Sequence, residues 1–140
     1  MTYVLNLSHV SVQRGDTQIL SDVSWSTRPR QHWVIVGPNG AGKTTLARVA
    51  SGRIAPDAGE VTVSDTDLAQ ADPAEVATRV GLASAAVAAK IVPTQSVLDT
   101  VRSAAWGLAV AHDEEYEQVD DERARALMEI FGIDHLGQRE

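Results

Sequence analysis

Apolar and polar residues alternate at the start of the chain, which is the pattern of half-buried β-strands. The alternation runs through residues 3–12, stops at the turn over residues 14–16, and resumes over residues 19–25. Two alternating segments joined by a short glycine-containing turn are typical of a hairpin. We therefore predict antiparallel strands in this part of the chain.

The pattern changes at residues 33–36, which are consecutively apolar and mostly β-branched. Such a run predicts a buried strand. Residues 46–50 continue with helical spacing, and the stretch between the two is rich in glycine. We therefore predict a strand, a glycine-rich turn and a helix in that order.

Three more helices are predicted further along. Pro73 suits the first helical position, so a short helix should cover residues 74–78. A second should lie within residues 96–107, and a third should start at Asp120 and end at Gly132 as a C-terminal cap. The apolar stripes that we expect to face the core are Val97, Val101 and Ala104 in the second helix, and Ala124, Leu127, Ile130 and Phe131 in the third.

The glycine-rich stretch fits the phosphate-binding pattern of Gly, any four residues, Gly, Lys and then Ser or Thr. Glycine lets backbone N–H groups converge on a polyphosphate because no β-carbon stands in the way. Lys43 would neutralise the β and γ phosphates, and the Thr44 hydroxyl would ligate Mg²⁺. The candidate binding residues are Gly37, Pro38, Asn39, Gly40, Ala41, Gly42, Lys43, Thr44 and Thr45.

The composition limits which kinds of binding partner and which location the protein can have. The 140 residues are 44% hydrophobic, which fits one folded domain or part of a larger one, and the net charge of -7 argues against a nucleic acid partner held by phosphate contacts. The chain has no cysteine, no basic and apolar leader, and no apolar run long enough to span a bilayer. We expect a cytoplasmic protein.

Several short sequence motifs follow each other along this chain in an order that few families share. They are His9-Val10-Ser11, Leu20-Ser21-Asp22-Val23-Ser24, the loop from Gly37 to Leu46, Gly52, and Pro56-Asp57-Ala58-Gly59-Glu60-Val61. Residues 79–83 and 96–101 continue the series. In this order the sequence resembles the nucleotide-binding domain of ATP-binding cassette (ABC) proteins over nearly its whole length.

The resemblance implies an α/β fold, a P-loop NTPase of ABC type. Residues 1–95 would form an antiparallel β subdomain and the strand-loop-helix core, and residues 96–140 would begin the α-helical subdomain. It further implies an ATPase that binds ATP and Mg²⁺, dimerises with a second nucleotide-binding domain, and serves a transmembrane transporter subunit from the cytoplasmic face of the membrane.

Two positions depart from the family pattern. Many members have an aromatic residue that stacks on adenine at the position of Arg14, and a planar guanidinium can also stack on a base. An exposed turn arginine is the alternative reading. The family glutamine that reaches Mg²⁺ and the attacking water is replaced by Ala85 or Ser84, and Gln95 lies beyond that loop.

The 140 residues also contain no Leu-Ser-Gly-Gly-Gln signature, no apolar strand ending in Asp followed by a Glu, and no switch His in a motif. We interpret the chain as the N-terminal part of an ABC ATPase domain, without catalytic residues of its own. It should bind Mg-ATP weakly and hardly hydrolyse it.

Two other classes stay open at this stage. A different P-loop enzyme is disfavoured, because strands precede the loop and no Asn-Lys-any-Asp base-reading motif occurs. A non-catalytic interaction module is favoured by Ala85 and Arg14 and opposed by the intact Lys43 and Thr44.

Overall fold

The computed structural model describes residues 3–108 and 116–139. They form two compact units, the first ending at Val76 and the second beginning at Ala77. Within these described ranges, no helix combines the length and the apolar character needed to cross a bilayer.

The first unit is built on a four-stranded sheet. Its strands are β1 (Leu5–Arg14), β2 (Thr17–Thr27), β3 (Ala58–Val63) and β4 (Thr66–Asp67), in the spatial order β2-β1-β3-β4. Every neighbouring pair is antiparallel, so the predicted hairpin is confirmed. Helix α1 (Lys43–Ala50) lies between β2 and β3 in sequence.

A bulge in β1 sets which residues face the core. Leu7 and Val10 are both buried, although strict alternation would put them on opposite faces. The β1–β2 pairing has a register shift between them, and His9 takes a left-handed φ of 52° there. The sheet and α1 thereby share one core, which consists of Leu7, Val10, Val12, Leu20, Val49 and Val61.

The prediction of a buried strand at residues 33–36 is wrong. These residues have no regular secondary structure, and Val34 and Val36 are 85% and 83% exposed. A strand needs hydrogen bonds to a neighbouring strand, and none of the strands in the described residues pairs with this segment. Trp33 packs edge-to-face against Trp25 of β2, with ring centroids 5.8 Å apart.

Helix α2 (Pro73–Arg79) begins at the predicted proline. The second unit then contains α3 (Ala85–Ala88), α4 (Val97–Ala105), α5 (Gln118–Ile130) and a 3₁₀ turn at Asp134–Leu136. Its core is the contact between α4 and α5, made by Leu98, Ala124 and Met128 with Val97, Val101 and Ile133 beside them.

The predicted stripes of these two helices are partly wrong. Val97, Val101 and Ala124 pack as expected, but Ala104 is exposed and Ser103 is buried. On α5, Leu127, Ile130 and Phe131 are 44%, 77% and 75% exposed. The reason is geometric: α5 buries a narrow face of positions four residues apart, Ala124 and Met128, against α4.

The ends of these helices follow their sequence signals. The Ser96 side chain accepts a hydrogen bond from the Asp99 backbone N–H at 3.1 Å and so caps α4. At the end of α5, Gly132 has a φ of 67°, and Ile133 N–H donates to Met128 O at 2.9 Å. This pattern is a Schellman cap and confirms the predicted role of Gly132.

Candidate functional site

The glycine-rich loop, residues 37–42, needs glycine at two positions for two different reasons. Gly40 and Gly42 have φ angles of 82° and 84°, in the left-handed region that disfavours other residues. A β-carbon on Gly40 would meet nothing within 4 Å, but one on Gly42 would lie 2.9 Å from the Ile19 carbonyl oxygen and 3.0 Å from Leu20 Cδ2. Gly42 therefore lets the loop rest directly on the start of β2.

Lys43 closes the loop on itself. Its Nζ donates to the carbonyl oxygens of Gly37 at 2.8 Å and Pro38 at 2.6 Å. Ala41 N–H also donates to Pro38 O at 3.3 Å. An ammonium group has three N–H donors, so Lys43 can keep both carbonyls and still donate one hydrogen bond into the loop.

The first turn of α1 adds positive potential at the same place. Its first intrahelical hydrogen bond runs from Leu46 N–H to Gly42 O at 2.8 Å. Helix geometry leaves the N–H groups of Lys43, Thr44 and Thr45 without an intrahelical acceptor. This turn contains no acidic residue, so its dipole and the Lys43 charge act together on an anion.

The exposed position of Thr44 is compatible with a role as a Mg²⁺ ligand. Mg²⁺ prefers oxygen ligands and usually takes only one or two from the protein, with water and substrate phosphates supplying the rest. The Thr44 side chain is exposed at the start of α1, on the turn that carries Lys43. Among the described residues no group of three or more His, Asp or Glu forms an alternative metal cluster.

Arg14 lies at the turn of the hairpin that supports the loop. It is the last residue of β1, pairs with Thr17, and donates from Nη1 to the Gln13 carbonyl at 3.0 Å. Ile19, which lies against Gly42, is two residues beyond Thr17, or about 7 Å along β2. One hairpin therefore carries both Arg14 and the surface on which the loop rests.

The structure adds Asp57, to which the sequence reasoning gave no role. Its carboxylate Oδ2 accepts from the Gln13 backbone N–H at 2.7 Å, and its own N–H donates to Ser11 O at 2.9 Å. No local sequence signal identifies this contact, because Gln13 lies 44 residues before Asp57.

Ser84 and Ala85, one of which we expect to replace the glutamine of the family that the sequence resembles, lie in the second unit. Ser84 caps α3, with its Oγ accepting from Val87 N–H at 3.2 Å, and Ala85 is the first residue of that helix. Gln95 donates from Nε2 to Thr100 Oγ1 at 3.1 Å, which commits its amide to the first turn of α4.

Comparison with known proteins places these features in a family. The family model for ABC transporters matches residues 20–140. The hemin import ATP-binding protein HmuV of Thermobifida fusca is 47% identical over 78 residues, which are 56% of this chain and 28% of that protein. The uncharacterized ABC transporter ATP-binding protein YlmA of Bacillus subtilis is 28% identical over 137 residues, 97% of this chain. The present chain spans 52% of YlmA, about half its length.

Solved structures agree on the fold. The dimeric ATP-binding cassette MJ0796, in a post-hydrolysis state bound to ADP and phosphate, matches with a TM-score of 0.76 at 16% identity. The match covers 97% of this chain and 61% of that one. At this identity the likeness establishes an α/β cassette fold, of which the present chain forms part. The chain belongs to the family of ABC transporter ATP-binding proteins.

Proposed function

We propose that residues 37–45 bind the phosphates of Mg-ATP. The observation that carries this proposal is the closed loop, in which Gly42 rests on β2 and Lys43 bridges the Gly37 and Pro38 carbonyls. The loop is thereby shaped before an anion arrives, and preorganisation reduces the cost of binding. A relative named as an ATP-binding protein and a cassette bound to ADP and phosphate support the choice of nucleotide.

Each residue has a proposed role. Lys43 donates its remaining N–H to a phosphate oxygen and its charge neutralises the β and γ phosphates, while the N–H groups at the start of α1 also donate to phosphate oxygens. Thr44 supplies a hydroxyl ligand to Mg²⁺, and the bound metal would draw charge from the phosphates. Arg14 stacks its guanidinium on the base, in place of the family's aromatic side chain.

Transport is the proposed setting of this site. We infer that ATP binding pairs the domain with a second nucleotide-binding domain, and that the domain serves a transmembrane subunit on the cytoplasmic face of the membrane. HmuV is named for hemin import, but it matches only 56% of this chain, so the transported compound is not assigned from it.

The 140-residue chain on its own should bind ATP with little turnover. Hydrolysis by phosphoryl transfer requires a residue that orients the attacking water as well as a phosphate cradle. Ala85 or Ser84 takes the position of the family glutamine, and neither side chain has the reach of an amide. Steady ATP turnover by the purified chain at rates of about 1 per second or more would contradict this part of the proposal.

Calorimetric titration with Mg-ATP tests the proposed site. Lys43→Ala should weaken binding by about 10- to 100-fold, the effect of losing hydrogen bonds from a charged donor. Lys90→Ala removes the same charge from an exposed position in the second unit and should leave affinity unchanged. Thr44→Ala should lower the affinity for ATP in the presence of Mg²⁺ but not in excess chelator.

The outcome also decides between the remaining classes. If the chain is folded by circular dichroism but binds no nucleotide, the proposal fails and the interaction module is favoured. If GTP outcompetes ATP, the site is a phosphate loop with a different base preference.

A further inference from the structure

Asp57 joins the end of β1 to the start of β3. The last β1–β3 pair is Ser11 with Ala58, so the ladder stops two residues before Gln13. The Gln13 N–H is nevertheless satisfied, because the Asp57 carboxylate accepts it at 2.7 Å. A side chain thus replaces the backbone partner that a longer β3 would have supplied.

The attachment is made at two points. Asp57 N–H donates to Ser11 O at 2.9 Å, while its carboxylate holds the Gln13 N–H. Two hydrogen bonds from one residue fix both the position and the orientation of the β1 end. The main chain is therefore held just before the turn begins.

The peptide groups on either side of Gln13 carry this constraint to Arg14. Arg14 Nη1 donates to the Gln13 carbonyl at 3.0 Å, and Gln13 Nε2 donates to Gly15 O at 2.9 Å. The direction of the Arg14 guanidinium therefore depends on the orientation of the peptide that follows Gln13. The Asp57 carboxylate accepts the N–H of Gln13 and so holds the other end of that residue.

We propose that Asp57 is a positioning residue for nucleotide binding, which holds the Arg14 turn so that the guanidinium meets the base. This inference rests on the proposed function, because it assigns to Arg14 the base contact described above. Asp57 acts only through Arg14, so its removal should cost no more than the removal of Arg14. A purely structural Asp57 would instead weaken the binding of every ligand in the same proportion.

The experiment compares two probes by calorimetry, Mg-ATP and Mg-tripolyphosphate, which has the phosphates but no base. Arg14→Ala and Asp57→Ala should each weaken Mg-ATP binding by about threefold, the size of one exposed cation–π contact. Both variants should leave tripolyphosphate affinity unchanged. Asp57→Asn keeps an acceptor oxygen and should retain most of the affinity for Mg-ATP.

Two controls make the test specific. Asp72→Ala removes another exposed carboxylate that accepts a backbone N–H, that of Ala74 at 2.9 Å, and should change neither affinity. In an Arg14→Ala background, Asp57→Ala should have no further effect on Mg-ATP binding. Equal losses for ATP and tripolyphosphate, or an undiminished Asp57 effect in that background, would overturn the inference.

The two proposals can fail separately. Tripolyphosphate binding by the unsubstituted chain, with no Asp57 effect on ATP, would overturn the role of Asp57 and leave the phosphate site intact. Absence of binding of either probe to a folded chain would overturn the phosphate site and the role of Asp57 with it.

Discussion

The two segments that flank the glycine-rich loop both contain apolar residues, but they differ in structure. Residues 33–36 before the loop have no regular secondary structure and are exposed, with Val34 85% exposed, whereas Val49 of α1 after the loop is only 1% exposed. A helix makes its hydrogen bonds within its own sequence, but a strand takes them from a partner elsewhere. The loop is therefore held from its helical side and from β2 beneath it, and the segment before it contributes little.

The largest expected effect on folding stability is found by placing a carboxylate in one flanking segment or the other. Val49→Asp buries an unpaired carboxylate in the core and should lower the free energy of unfolding of the first unit by more than about 3 kcal/mol. Val34→Asp, its matched control, should change it by less than about 0.5 kcal/mol. Urea unfolding followed by tryptophan fluorescence in a Trp106→Phe background measures the first unit alone. A similar loss of unfolding free energy in both variants would contradict the difference in burial between α1 and residues 33–36.

A second prediction concerns how the loop rests on β2. Gly42→Ala would place a β-carbon 2.9 Å from the Ile19 carbonyl oxygen and 3.0 Å from Leu20 Cδ2, on a backbone with a left-handed φ. The substitution should therefore lower the free energy of unfolding by about 3 kcal/mol. Gly40→Ala has nearly the same φ but open space, and should cost about 1 kcal/mol. The same unfolding measurement checks both variants. Equal costs would mean that Gly42 does not lie against β2 as described.

The smallest effect should come from the aromatic contact that attaches the preceding segment to the sheet. Trp33→Ala removes the edge-to-face contact with Trp25 and should cost about 1 kcal/mol. Trp33→Phe keeps a ring and should cost less than half as much. If Trp33→Ala were as costly as Gly42→Ala, residues 33–36 would be more firmly held than their exposure indicates.

The sequence predicted best those features that are local. The hairpin, the helix after the loop, Pro73 at the start of α2 and the Gly132 cap depend on neighbouring residues, and the structure contains them. The apolar run at residues 33–36 predicts a buried strand, but burial depends on what packs against the run, and no strand of the described residues pairs with it. Local sequence patterns therefore suffice to predict elements that depend on neighbouring residues, but not the burial of a segment.

The same distinction explains the errors on α5. Ala124, Leu127 and Ile130 have helical spacing, but which face is buried depends on the neighbouring helix, and Met128 rather than Leu127 meets α4. The contact of Asp57 is not readable from the sequence for a related reason. Its partner Gln13 is 44 residues away, a distance over which no periodicity in one sequence carries information.

Amide hydrogen exchange with and without Mg-ATP tests the account most directly, because it reports on both flanks of the loop in one experiment. Mg-ATP at a concentration that just saturates the unsubstituted chain should slow exchange at residues 40–45 of that chain and much less in Lys43→Ala. Residues 33–36 should exchange rapidly in both states, while the later amides of α1 stay protected throughout. Unchanged exchange at residues 40–45 in a folded chain saturated with nucleotide would contradict the assignment of this loop as the phosphate-binding site.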